Sequence, residues 1–171
     1  KQIKKLNENA IFLGTHHVKE ILNLLRDYQD NKLDWKKQED YLNSTNELKL
    51  NLPKKPLNSL ISIHQISEGC LGDCSYCKTR LAKGKLFSYP KDEILKSIES
   101  DLQNGAKEIW LTSQDNASYG LDWTNLRENT SKKPLGVVDK DCASYGLDKK
   151  KNNLPDLLKS ILELKHKFKL R

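Results

Sequence analysis

Methionine is absent from all 171 residues, and no cysteine precedes Cys70. Aromatic side chains make up only 7% of the chain and hydrophobic ones 36%, for a mean hydropathy of −0.75. No apolar run approaches the roughly 20 residues that a membrane-spanning helix requires, so a chain without a membrane segment is expected. Four cysteines are far too few for a secreted disulfide scaffold, and no signal peptide is read at Lys1. A reducing, cytoplasmic setting is therefore expected, in which the cysteines have a role other than crosslinking. The missing Met, together with the alternating ending Phe168-Lys169-Leu170-Arg171, a strand cut short, is expected of an internal fragment of a longer protein.

What is present is charge. Thirty Lys and Arg against 23 Asp and Glu give a net charge of +7 and a pI near 9.1. Such an excess fits a polyanionic partner, although charge alone describes a solvated surface equally well.

Apolar periodicity is confined to a few segments. Residues 9–13 form a short apolar run ended by Gly14, with Thr15 placed as a helix N-cap. Val18, Ile21, Leu22, Leu25 and Tyr28 then recur at helical spacing. This predicts a strand, a turn and an amphipathic helix. From 30 to 56 the pattern lapses into a linker, with a short edge strand expected near 48–52 before Pro53. Residues 59–66 read as a buried strand running into Glu68-Gly69-Cys70. A helix follows Ser88-Tyr89-Pro90, with Ile94, Leu95, Ile98 and Leu102 inward and Gly105 as its stop. A second strand is expected over 106–113. A third helix, capped by Asn153 or Asn152, turns Leu157, Leu158, Ile161 and Leu162 inward, and a strand begins at Phe168. The fold class is α/β, with the alternation of a parallel βα barrel or sheet, in which chemistry sits on loops after the carboxyl ends of strands.

One internal repeat interrupts this pattern. The run Ala117-Ser118-Tyr119-Gly120-Leu121-Asp122 recurs as Ala143-Ser144-Tyr145-Gly146-Leu147-Asp148, displaced by 26 residues. One pair is not a solenoid, and a local duplication or insertion that enlarges a surface loop is the expected origin. Cys142 lies in the second copy and is not expected to be a ligand.

The chemistry-bearing cluster is Cys70-Leu71-Gly72-Asp73-Cys74-Ser75-Tyr76-Cys77, three thiols on a glycine-containing loop at a strand end. Three closely spaced soft ligands suit an iron–sulfur cluster or zinc. A structural zinc wants a fourth ligand, for which His64 and Cys142 are the nearest candidates, and His64 is expected to pack within or beside the sheet instead. A cubane held by three thiolates keeps one iron open to a small molecule. Lys78, Arg80, Lys83 and Lys85 follow, a basic stretch that could contact phosphate.

These residues carry a specific resemblance. Cys70 to Cys77 matches the signature of the radical S-adenosylmethionine superfamily. The flanks Gly69-Cys70-Leu71, Cys74-Ser75-Tyr76-Cys77-Lys78-Thr79, Ala82-Lys83-Gly84, Ser88-Tyr89-Pro90 and Glu108-Ile109-Trp110-Leu111-Thr112-Ser113-Gln114-Asp115 resemble the methylthiotransferases. Within that family the sequence is most similar to the archaeal and eukaryotic branch that modifies threonylcarbamoyladenosine beside the tRNA anticodon. The resemblance implies that residues 1–29 end an α/β N-terminal domain, that 30–56 link it onward, and that 57–171 begin a radical-SAM partial TIM barrel. Excising about 123–148 restores the family spacing. It further implies a 4Fe-4S cluster on Cys70, Cys74 and Cys77, S-adenosylmethionine near Tyr76, Gln114 and Asp115, and tRNA and an electron donor as partners. Arg80, Lys83 and Lys85 would meet tRNA phosphates. A second cluster is expected only in a part of the N-terminal domain outside this chain. The alternatives are another methylthiotransferase substrate, or a zinc-stabilised basic RNA-binding module without catalysis.

Overall fold

The computed structural model describes residues 2–7, 10–32, 48–50, 52–55, 58–122 and 153–171. The second copy of the repeat, Cys142 and the expected insertion lie outside the described residues. The chain divides into two compact units, Lys1–Glu47 and Leu48–Arg171.

The first unit contains a short helix α1 (Gln2–Leu6), a 3-10 turn at Val18–Glu20 and helix α2 (Ile21–Gln29). The segment expected as a strand over 9–13 has no strand among its described residues. Thr15 is not the cap either: His17 occupies the N-cap of the 3-10 turn, which leads directly into α2. The stripe expected to face a core is exposed at Val18, Ile21, Leu22, Leu25 and Tyr28, and the helix buries Leu24 instead. Asn31, at φ 54°, ends the helix in the left-handed region that short amide side chains tolerate.

In the second unit, parallel strands β1 (Ile61–Gln65), β4 (Glu108–Thr112) and β5 (Lys169–Leu170) form a sheet in the order β1-β4-β5. The pairing runs from Ile61 opposite Glu108 to Gln65 opposite Thr112, and then Glu108 opposite Lys169. A two-residue antiparallel pair, β2 (Ser67–Glu68) with β3 (Phe87–Ser88), closes the loop that carries the cysteines. Within that loop Lys78–Lys83 form helix α3. The crossover helices are α4 (Lys91–Gln103) and α5 (Leu154–Leu162).

Local chemistry explains these boundaries. Pro90 caps α4 with Asp92 and Glu93 in its first turn, where carboxylates complement the helix dipole. Ile94, Ile98 and Leu102 recur every fourth residue and are buried. Gly105, at φ 102°, then turns the chain into β4. Asn153 caps α5 by accepting a 3.0 Å bond from the Asp156 N–H, and Leu157 and Ile161 are fully buried, whereas Leu162 points outward. These side chains join Ile66, Tyr89, Ala106, Ile109 and Tyr119 in one core.

Residues 48–55 belong with this unit. Leu48 and Leu50 pack against its core, and no strand forms among the described residues 48–52, where the Leu52 N–H turns back to the Lys49 carbonyl at 3.4 Å. The first copy of the repeat is likewise built in. Tyr119 donates its hydroxyl to the Tyr89 carbonyl at 2.9 Å, and Asp122 accepts from the Ser88 N–H at 2.8 Å and hydroxyl at 2.6 Å.

Beneath α4, the face of β1 is polar. His64, 1% exposed, lies with Nε2 3.0 Å from Ser62 Oγ and 3.2 Å from Asp101 Oδ2, and with Nδ1 3.2 Å from Ser97 Oγ. Lys54 binds Asp101 at 2.5 Å. Burial, reinforced by the Lys54 charge, lowers the His64 pKa to about 4, so the ring is neutral. Burial alone would raise the Asp101 pKa, but hydrogen bonds from Lys54 and Ser62 outweigh it and hold the carboxyl below its ordinary value. His64 therefore packs between sheet and helix, as expected. Among the described residues, no helix is long and apolar enough to cross a membrane.

Candidate cofactor site

The cysteine loop leaves the carboxyl end of β1 through a neck that only glycine permits. Gly69 adopts φ 72°, and a Cβ there would stand 2.0 Å from the Lys85 carbonyl oxygen. The Cys70 N–H reaches the Gly84 carbonyl at 3.4 Å across the same neck. Gly84 itself, at φ 75°, ends α3.

Inside the loop, the Gly72 N–H donates to Cys70 Sγ at 3.2 Å. A Cβ on Gly72 would lie 3.3 Å from Cys70 Sγ and 3.9 Å from Cys74 Sγ, so the glycine keeps open the space between these two sulfurs. Cys77 stands at the N-cap of α3. Its thiol is held below its ordinary value, first by the backbone N–H of Arg80 and further by Thr79. The Arg80 guanidinium folds back on the loop, donating to the Leu71 carbonyl at 3.0 Å and to the Gly72 carbonyl.

A cavity of about 290 Å³ opens here, lined by Gly69, Cys70, Cys77, Thr79, Arg80, Lys83 and Gln114. Two loops that follow strand ends, after β1 and after β4, thus meet at one cavity, the usual location of sites in parallel α/β folds. Of the residues singled out in the sequence, Cys70, Cys77, Gln114, Arg80 and Lys83 are brought together. Cys74 is exposed, and Tyr76 is 84% exposed on the same loop outside the cavity wall. Asp115 is exposed and uses its carboxylate to accept from the Ala117 N–H at 3.1 Å. Lys85 is exposed beyond the end of α3.

Among the described residues no three His, Cys, Asp or Glu side chains are gathered closely enough to hold a metal ion. The donor set nevertheless fits a thiolate-bound cluster. It has three thiols on one short loop, a backbone N–H already directed at one sulfur, a gap preserved between two sulfurs by Gly72, and cations instead of carboxylates among the described residues of the cavity wall. Hydrogen bonds to cluster sulfurs of this kind are one of the means by which proteins tune such centres.

One group escaped the sequence reading. Glu68, 3% exposed in its side chain, binds Lys49 at 2.7 Å and Lys83 at 3.2 Å immediately before the cysteine loop. A buried acid at a strand end beside Gly-Cys was the available signal.

No protein-family model matches the chain. Among curated proteins, it is 51% identical over 79 residues to the threonylcarbamoyladenosine tRNA methylthiotransferase of Homo sapiens, covering 46% of this chain and 14% of that protein. It is 50% identical over 74 residues to the protein of the same name from Mus musculus, covering 43% and 13%. A third relative, the probable threonylcarbamoyladenosine tRNA methylthiotransferase of Methanothermobacter thermautotrophicus, is 35% identical over 121 residues, covering 71% of this chain and 27% of the relative. The class these matches define, with a three-thiol loop at a strand end, is the methylthiotransferases. More particularly, the matched relatives are threonylcarbamoyladenosine tRNA methylthiotransferases of archaeal and eukaryotic origin alike, and it is to that family that the chain is similar. The chain spans between about an eighth and a quarter of the length of these relatives.

Proposed function

We propose that this chain contributes the cofactor-binding first part of the catalytic barrel of a tRNA-modifying enzyme. That enzyme adds a methylthio group to the adenine ring of threonylcarbamoyladenosine next to the anticodon by radical S-adenosylmethionine chemistry. The observation that carries this reading is the convergence of Cys70 and Cys77, after β1, with Gln114, after β4, on one cavity. In this reading residues 1–29 end an N-terminal domain, 30–56 connect it onward, 57–171 open a partial TIM barrel, and about 123–148 are an insertion. The sheet face carrying Ile63, 52% exposed, and Trp110, 37% exposed, is then the barrel's inner face.

Cys70, Cys74 and Cys77 would hold a 4Fe-4S cluster. The chemistry a bound cluster would supply is one-electron reduction of S-adenosylmethionine, giving methionine and a radical able to abstract hydrogen. The chain's own residues do the positioning. Arg80 fixes the loop carbonyls between Cys70 and Cys74, so the thiols are presented from an ordered turn. Gln114 offers an amide at the cavity wall, and Tyr76 and Asp115, outside that wall, are the further cofactor contacts of this reading. The cations Arg80, Lys83 and Lys85 are read as meeting the tRNA backbone, where contacts orient the RNA without reading its sequence; Lys85 is the exposed one, while Arg80 and Lys83 would do so from their bonds to the loop carbonyls and to Glu68. An electron donor completes the set of partners, and the setting is cytoplasmic.

The test is anaerobic reconstitution of the chain with iron and sulfide, reduction with dithionite, and measurement of 5′-deoxyadenosine released from S-adenosylmethionine. Release that disappears in Cys74→Ala is expected. A chain that takes up stoichiometric zinc but no iron would instead favour the zinc-stabilised RNA-binding module.

A further inference from the structure

Glu68 stands between two spaces. Its side chain is 3% exposed, and Lys49 Nζ lies 2.7 Å from each of its oxygens. Lys83 Nζ lies 3.2 Å from Oε1, and the Tyr89 hydroxyl is 3.5 Å from Oε2. Lys83, at the end of α3, lines the cysteine cavity. Lys49, from the segment that precedes β1, lines a different cavity of about 160 Å³, shared with Leu50, Pro53, His64 and Tyr89.

We infer that Glu68 is a positioning residue that fixes the Lys83 ammonium at the wall of the cysteine cavity and couples it to Lys49 on the segment before β1. The role of that cavity rests on the function proposed above, but the link itself does not. A carboxylate this buried is costly unless it is paired, and here one carboxylate serves two ammonium groups. The three groups carry a net charge of +1, and of the two ammonium groups it is that of Lys83 that shares a cavity wall with Cys70 and Cys77. The backbone of α3 is not free to follow Lys83, because Gly69 sits against the Lys85 carbonyl and the Gly84 N–H is bonded to the Arg80 carbonyl at 2.8 Å. Any change in Glu68 or Lys49 must therefore be taken up by the Lys83 side chain, which is 32% exposed. Without the carboxylate, two ammonium groups would repel across the same small space. Without Lys49, Glu68 would hold Lys83 alone and more tightly.

The test reads lysine reactivity in the full chain without metal, by brief acetylation with N-hydroxysuccinimide acetate and mass spectrometry of each site. In Glu68→Gln, Lys83 and Lys49 should both acetylate several-fold faster, while Lys159, exposed on α5, keeps its rate. In Lys49→Gln, Lys83 should acetylate more slowly, and in the double variant, which lacks both the carboxylate and the second ammonium, its rate should fall between those of the two single variants. Lys83 rates unchanged in Glu68→Gln, or indifferent to Lys49, would overturn the link. Should Glu68→Gln lose its helical circular dichroism, Lys49→Gln carries the test alone. A second arm measures binding of S-adenosylhomocysteine to the anaerobically reconstituted chain. Glu68→Gln should bind roughly tenfold more weakly at unchanged iron content, the size of one lost charge-assisted hydrogen bond, and equal affinity would overturn the positioning role. Wild-type chain that takes up no iron would refute the proposed function, and the acetylation rates would still decide the link.

Discussion

Lowering the pH from 7 to 4 should cost the Leu48–Arg171 unit about 3 kcal/mol through His64 alone. The ring is buried beneath α4 among Ser62, Ser97 and Asp101, with Lys54 on the far side of Asp101. Its pKa falls from 6.5 to about 4 in the folded chain. The unfolded chain therefore takes up the proton first as acid is added. Stability is full above pH 6.5 and drains as pH falls toward 4, by about 2 kcal/mol at pH 5 and about 3 kcal/mol at pH 4. The perturbation is His64→Gln, whose amide hydrogen-bonds without titrating. Urea unfolding followed by circular dichroism at each pH gives the stability of both chains, and the difference in their pH slopes isolates His64 from the carboxylates they share. The wild type should lose the extra increment between pH 6.5 and 4. Parallel slopes would refute the placement of a neutral, desolvated histidine between β1 and α4.

Three further outcomes follow from particular contacts. Gly69→Ala should cost about 3 kcal/mol or more in urea unfolding, since its methyl would meet the Lys85 carbonyl. Gly105→Ala, with nothing within 4 Å, should cost only the roughly 1–2 kcal/mol of a left-handed backbone; equal costs would deny the closed neck. Asp122→Ala leaves the buried N–H and hydroxyl of Ser88 without their acceptor and should cost about 2–3 kcal/mol by the same assay. Cys142→Ser should leave the iron content of the reconstituted chain at the wild-type level, measured by colorimetric iron assay, and a loss of cluster would make the second copy of the repeat part of the site.

Where periodicity extends over several turns or strand residues, the fold was legible. Ile94, Ile98 and Leu102 predicted α4, and the Asn153 cap with Leu157 and Ile161 predicted α5. The runs around Ile63 and Ile109 became the paired strands. What escaped has too little length to carry a period: the two-residue β2 and β3, the single-turn packing of Leu48 and Leu50, and α3, whose sequence reads only as a basic stretch. The α2 stripe shows the converse, for a regular apolar face states what a helix can bury and not what its own unit offers it. At the site, the spacing of Cys70, Cys74 and Cys77 marked the loop in the sequence, and two of the three, Cys70 and Cys77, line the cavity. The inward bonds of Arg80 and Lys83 were not legible, since a count of cations cannot tell a solvated charge from one paired with a buried carboxylate. Glu68 was hidden for the same reason.

Iron and acid-labile sulfide per chain after anaerobic reconstitution, read with the visible spectrum for wild type and for Cys70→Ala, Cys74→Ala and Cys77→Ala, bear most directly on the central claim. The account predicts about four irons in the wild type, with a brown charge-transfer absorption, and loss of the cluster in each variant, because a cubane needs all three thiolates. One zinc per chain with no iron, or full iron retained without Cys74, would contradict it.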